Sequence, residues 1–217
     1  MAKVKTIEEL LGLERSFLAE GFLFIAGVDE AGRGPLAGPV VAAAVVFARF
    51  EDLPGVYDSK QLTAARREEL ELEIKAVPDV QWALGVVEPE EIDRINILQA
   101  TYKAMRGAVE QLARVDFLLV DGNPVPNLPR PNLAVVKGDA KSASIAAASI
   151  LAKVQRDRLM TMLDAEYPEY GFAEHKGYGT RRHLEALEKY GACPAHRRSF
   201  APVRQVVEHA PKQMDLF

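Results

Sequence analysis

Apolar runs with no helical period alternate along this chain with segments in which apolar residues return every three or four positions. The first kind predicts buried strands at residues 22–28, 40–47, 81–87, 117–120 and 133–136. The second predicts helices over residues 6–21, 63–77, 98–112, about 141–166 and 180–190. Thr6 and Glu9 have the spacing of a capping box, Leu10, Leu11, Phe17 and Leu18 supply an apolar stripe, and Gly21 is a stop signal. Ala146, Ala147 and Ala148 near the start of the long helix let it pack closely on a sheet. A helix leading straight into a buried strand is the pattern of an α/β protein with a parallel strand pair.

Composition narrows the class. The chain has 217 residues, 48% of them hydrophobic and 27% charged, which fits one large globular domain with appendages. The longest stretch without charge, residues 34–48, is too short for a bilayer and broken by Pro35, Gly38 and Pro39, so no membrane span is expected. Nor do residues 6–21, with their acidic side chains, form the apolar core of a signal peptide. Cys193 is the only cysteine, and His175, His183, His196 and His209 lack zinc-ligand spacing; a reducing, cytoplasmic compartment is expected. Net charge is −4, yet residues 175–217 carry eight Lys or Arg against four Asp or Glu, which marks the C-terminal fifth as a basic face.

Acidic residues fall where strands end. Asp29 and Glu30 follow the first apolar run, Asp121 follows the fourth, and Asp139 lies just past the fifth. With strands one and four adjacent and the fifth beside the fourth, these groups converge at one end of the sheet, where open α/β folds place their sites. Like charges gathered in this way need a cation, and oxygen-only ligation suits Mg²⁺ or Mn²⁺. Taken singly, Asp139 reads more readily as the N-cap of the long helix, and Asp121-Gly122 as a simple turn, than as catalytic groups. Neighbouring strand residues point to opposite faces, so Glu30 is expected at a bend.

The ordered motifs Gly27-Val28-Asp29-Glu30-Ala31-Gly32-Arg33-Gly34-Pro35, Asp58-Ser59-Lys60, Asp121-Gly122 and Lys137-Gly138-Asp139, with the segment Ser144–Val154, closely resemble the bacterial ribonuclease HII family over residues 22–204. The resemblance implies a ribonuclease H-like α/β fold, a mixed five-stranded sheet flanked by helices with a helical C-terminal part. It divides the chain into an N-terminal helix (1–21), a catalytic domain (22–204) and a tail (205–217). The implied activity is endonucleolytic hydrolysis of RNA in RNA/DNA hybrids, including incision at single ribonucleotides in duplex DNA. By similarity, Asp29, Glu30, Asp121 and Asp139 are the catalytic and metal-holding set. Gly32, Arg33, Gly34, Ser59, Lys60 and Tyr178 are the substrate-binding residues, with Tyr178 sensing the ribose.

Such a site is expected to use two divalent ions about 4 Å apart, the second bound with substrate, giving 5′-phosphate and 3′-hydroxyl ends. Selectivity then rests on the 2′-hydroxyl, read by close backbone contacts from residues 32–34. Arg181, Arg182, Arg197 and Arg198 are expected to hold phosphates. Lys141, Lys153 and Arg156 read as ordinary solvated charges or as partners that support the site residues, and none is assigned to the site itself. Alternatives from other classes are a related-fold DNA junction nuclease and a non-catalytic hybrid-binding module. Gln213, Leu216 and Phe217 resemble the Gln-x-x-Leu-Phe peptides that bind the bacterial sliding clamp, so the clamp is an expected partner of an otherwise monomeric protein.

Overall fold

The computed structural model describes residues 6–50, 53–54 and 62–209. Five strands form one mixed sheet: β1 (Ile25–Ala31), β2 (Val40–Val46), β3 (Gln81–Val87), β4 (Phe117–Asp121) and β5 (Asn132–Val135), in the order β3-β2-β1-β4-β5. β1 runs antiparallel to β2 and parallel to β4, and β4 runs parallel to β5, so the expected adjacency of the first, fourth and fifth strands is borne out. Helices α1 (Ile7–Leu10), α2 (Gly12–Ala19), α3 (Ala64–Lys75), α4 (Pro89–Ile95), α5 (Ile97–Glu110), α6 (Ala143–Glu166), α7 (Phe172–His175), α8 (Arg181–Tyr190) and α9 (Ala201–His209) complete the described chain. No helix among the described residues is long and apolar enough to cross a membrane.

The alternation of side chains in β2 explains why both sheet faces are covered. Val40, Ala42, Ala44 and Val46 join the core under α4 and α5, while Ala43 and Val45 join the core under α3 and α6. A strand buried on both sides has no polar position to spare, hence its unbroken apolar sequence. Gly27 sets the spacing between β1 and α6: a Cβ there would lie 2.0 Å from the main-chain carbon of Ser144, a distance only glycine permits. The start of α6 is thereby pressed against the strand that carries Asp29 and Glu30.

The predicted N-terminal helix is two helices, broken at Leu11. The Thr6–Glu9 capping box forms as expected, but the break lets the consecutive Leu10 and Leu11 both turn into the core. Glu14, on the same segment, is fully buried; its Oε1 accepts from Ser142 Oγ at 2.6 Å and from the Ser144 amide at 3.0 Å. A carboxylate there faces the positive end of the 24-residue α6. The first strand is displaced three residues from its predicted position. Phe22 packs against Phe17 and Phe117 rather than pairing, and Asp116 accepts the amides of Leu23 and Phe24, which delays entry into the sheet. α4, α7 and α9 were not predicted; the first two are seven and four residues long, too short for a clear period. α9 runs across the expected boundary at residue 204.

Candidate active site

Asp29, Glu30 and Asp121 line one cleft of about 450 Å³, together with Ala31, Gly32, Arg67, Ser149, Lys153, Arg156 and Tyr178. The carboxylates of β1 lie within the strand, not after it. The ladder to β2 continues through Asp29, Glu30 and Ala31, three residues past the point where the parallel pairing with β4 ends at Val28. Glu30 therefore does not sit at a bend, contrary to the sequence expectation. Four consecutive residues, 29–32, line the cleft because it lies across the end of β1 rather than over one face of the sheet.

Asp29 is 5% exposed, and its Oδ1 accepts the Glu30 amide at 2.7 Å while Ser149 hydrogen-bonds its carboxylate. Burial, reinforced by the neighbouring charges of Glu30 and Asp121, holds its carboxyl well above the usual range. Burial likewise raises Glu30, opposed by Arg33, whose Nη1 lies 3.3 Å from Glu30 Oε1. Asp121 closes β4, and its Oδ1 accepts the Gly138 amide at 2.6 Å, which ties the strand end to the 3₁₀ turn Gly138–Ala140. Asp139 belongs to that turn and is buried, but it does not line the cleft. The cap of α6 is Ser142, whose Oγ accepts the Ile145 amide, so Asp139 is not the N-cap. Among the described residues no group of three or more acidic, histidine or cysteine side chains is spaced to hold one ion. The donor set nevertheless fits a hard cation: three carboxylates line one desolvated cleft, where burial raises Asp29 and Glu30 and the neighbouring acidic charges add to it.

The segment of residues 32–34 continues from β1 beside the acids, and the Tyr178 ring lies against it. A Cβ on Gly34 would lie 3.6 Å from Tyr178 Cε1, Gly32 and Tyr178 both line the cleft, and Tyr178 is half exposed. Ser59 and Lys60, like Gln213, Leu216 and Phe217, lie outside the described residues.

The basic residues are sorted differently from the sequence expectation. Arg181 and Arg182 are exposed and pair with Glu185 and Glu174, and Arg198 is exposed. Arg197 is fully buried and donates to the carbonyls of Gly32, Arg33, Pro35 and Gly38, so it cannot hold phosphate as expected. Arg156, read from the sequence as either a solvated charge or a supporting partner of the site, is not solvated but buried; it donates to the carbonyls of Ala37, Pro39 and Lys176. Gly32, at φ +96°, leaves room for that guanidinium, since a Cβ would fall 2.0 Å from Arg156 Nε. Lys153, held by Asp157 at 2.6 Å, and Arg67 bring positive charge into the cleft wall. Helical spacing was the available signal: Lys153 follows Ser149 by one turn and Arg156 by seven residues.

A second cluster supports the tyrosine. His183 Nδ1 lies 2.9 Å from the Tyr178 carbonyl, His183 Nε2 lies 3.0 Å from His196 Nε2, and His196 Nδ1 lies 3.1 Å from both the amide and the Sγ of Cys193. His175 Nδ1 accepts the Gly177 amide and its Nε2 meets the Tyr170 carbonyl. These ring nitrogens are all engaged by protein groups.

Residues 26–203 match the family Ribonuclease HII. The ribonuclease HII of Desulfitobacterium hafniense is 55% identical over 209 residues, covering 96% of this chain and 80% of that protein. Among solved structures, the ribonuclease H2 of Pyrococcus horikoshii OT3 superposes with a TM-score of 0.75 at 31% identity, over 85% of this chain and 97% of that one. The ribonuclease HII in the PCNA:RNase HII complex from Archaeoglobus fulgidus gives a TM-score of 0.71 at 29% identity, over 81% and 94% of the two chains.

Proposed function

The chain belongs to the ribonuclease HII family and is an endoribonuclease acting on RNA/DNA hybrids, and from that premise we propose that it also incises at single ribonucleotides in duplex DNA, using the cleft at the end of β1. The observation that carries this reading is the meeting, in one cleft, of Asp29, Glu30 and Asp121 with Tyr178 and the Gly32 backbone. The family is metal-dependent. Asp29, Glu30 and Asp121 would hold divalent ions, Mg²⁺ or Mn²⁺, with Asp139 supporting them from the adjoining turn. When bound, such ions would lower the pKa of a water and neutralise charge developing at the phosphate.

The chain's own groups do the rest. Asp29 and Asp121 are fixed by the Glu30 and Gly138 amides, so their remaining oxygens are oriented before substrate arrives. Arg67 and Lys153, which line the same cleft, offer cations to the phosphate. In-line displacement leaves a 5′-phosphate and a 3′-hydroxyl. The segment Gly32, Arg33 and Gly34 reads the 2′-hydroxyl, and the Tyr178 ring packs on the sugar beside it. Exposed Arg181, Arg182 and Arg198 track phosphates, with Ser59 and Lys60 as further substrate contacts. Through Gln213, Leu216 and Phe217 the chain binds a sliding clamp, a reading supported by the PCNA complex of the A. fulgidus relative. We place the enzyme in the cytoplasm as a monomer; its one cysteine is a buried free thiol. The deciding experiment is a cleavage gel with a duplex carrying one ribonucleotide, an all-DNA control, and Mg²⁺ or EDTA. A cut at the ribonucleotide in Mg²⁺ alone supports the reading; an intact strand overturns it.

A further inference from the structure

Resting on the assignment of residues 32–34 to ribose reading, we propose that Arg197 is the positioning residue for ribose discrimination, turning the Arg33 and Gly34 amides out toward the 2′-hydroxyl. Its guanidinium reaches main-chain carbonyls of one segment only: Nη2 bonds Gly32 O at 2.6 Å, Nη1 bonds Arg33 O at 3.0 Å and Pro35 O at 2.8 Å, and Nε bonds Gly38 O at 2.9 Å. Every peptide bond of the described chain is trans, so the carbonyl of one residue and the amide of the next point in opposite directions. Drawing the Gly32 carbonyl inward turns the Arg33 N–H outward, and drawing in the Arg33 carbonyl does the same for Gly34.

Two amides farther along, those of Leu36 and Gly38, are already engaged. Leu36 N donates to Gly177 O and Gly38 N to Ala195 O, both at 2.8 Å, and Pro35 has no N–H. Among the described residues the Arg33 and Gly34 amides donate to no main-chain carbonyl, and both residues are exposed. Two donors on adjacent residues, beside the Tyr178 ring, suit a small hydroxyl oxygen. Lysine cannot reproduce this arrangement, because a single ammonium lacks the planar fork that spans four carbonyls.

The test is a cycle between the protein and the 2′-hydroxyl. Binding is measured in EDTA, where no cleavage occurs, for duplexes with one ribonucleotide and with DNA alone. Wild type is compared with Arg197→Lys. The expected result is a ribose preference at least tenfold smaller in Arg197→Lys, with all-DNA affinity within twofold of wild type. An equal loss on both duplexes means a structural role only and overturns the proposal, as does an unchanged preference. A wild type that binds both duplexes equally instead refutes the ribose-reading assignment beneath it. Where Arg197→Lys loses its cooperative melt, Phe200→Leu decides, since it removes the ring 5.2 Å from the guanidinium and leaves the arginine in place. A reduced preference there supports the proposal, and an unchanged one overturns it.

Discussion

His183 and His196 meet through their Nε2 atoms at 3.0 Å, and their surroundings fix every proton between them. The Tyr178 carbonyl requires a proton on His183 Nδ1, which leaves His183 Nε2 as an acceptor. His196 Nε2 must then donate, and its bare Nδ1 accepts from the Cys193 amide. A further proton on either ring sets two donors face to face. Burial accordingly lowers both histidines, His196 to about 4.

This sets a pH dependence of stability. A histidine kept neutral in the fold binds its proton more readily when unfolded, so its contribution is complete above the unfolded value near 6.5 and is lost as pH falls toward 4. The stability difference between wild type and His196→Gln, read from urea midpoints, is expected to be largest at pH 7. It shrinks by roughly 3 kcal/mol on acidification to pH 4. A difference constant across that range would mean that His196 titrates as in a free peptide.

Asp121→Asn keeps the shape of the side chain and removes one negative charge from the cleft. Turnover in saturating Mg²⁺ is expected to fall at least about a hundredfold, while hybrid binding persists or tightens from the lost repulsion. Single-turnover cleavage and a binding titration separate the two effects. Turnover near wild type would remove Asp121 from the chemistry.

Tyr178→Ala is expected to slow cleavage at a lone ribonucleotide roughly tenfold or more, the scale of an aromatic contact to a nucleotide. A continuous RNA strand offers many registers and should lose less. Comparing kcat/KM on the two substrates gives the answer, and equal losses would assign Tyr178 to the fold.

Deleting Gln213 to Phe217 is expected to abolish binding to the purified clamp. Cleavage of a short ribonucleotide-containing duplex without clamp should stay unchanged, since a tether adds local concentration and no chemistry. Retained clamp binding, or a lower melting temperature, would show that these residues serve the domain instead.

The acidic residues were legible because each follows a run whose burial the sequence declares: the valines and leucines before Asp29 and Asp121 can only be strands, and strand ends are where this class of sheet opens. The Thr6–Glu9 capping box is equally local and was read from its spacing, whereas the cap of α6 falls on Ser142 and not on Asp139. Arg197 was not legible. An arginine beside Arg198 in a basic stretch reads as a phosphate contact, and its partners are carbonyls, which carry no sequence signature and lie 159–165 residues away. Glu14 escaped notice for the same reason, its partners Ser142 and Ser144 being 128 and 130 residues distant. The bend at Glu30 was expected from strand alternation alone, which does not foresee a cleft lying across a strand end.

The bonds from Arg197 to the segment of residues 32–38 also order events during synthesis. β1 and β2 leave the ribosome early, and β4 and β5 follow, so the acids of the cleft are present long before residue 197 emerges. Until then nothing gathers the carbonyls of Gly32, Arg33, Pro35 and Gly38, and closing so long a loop comes late. A nascent chain that stops short of residue 197 would therefore carry the cleft carboxylates without the bonds that, under the proposal above, orient the Arg33 and Gly34 amides. On that proposal the emergence of Arg197, not the pairing of the sheet, is the step at which discrimination is acquired.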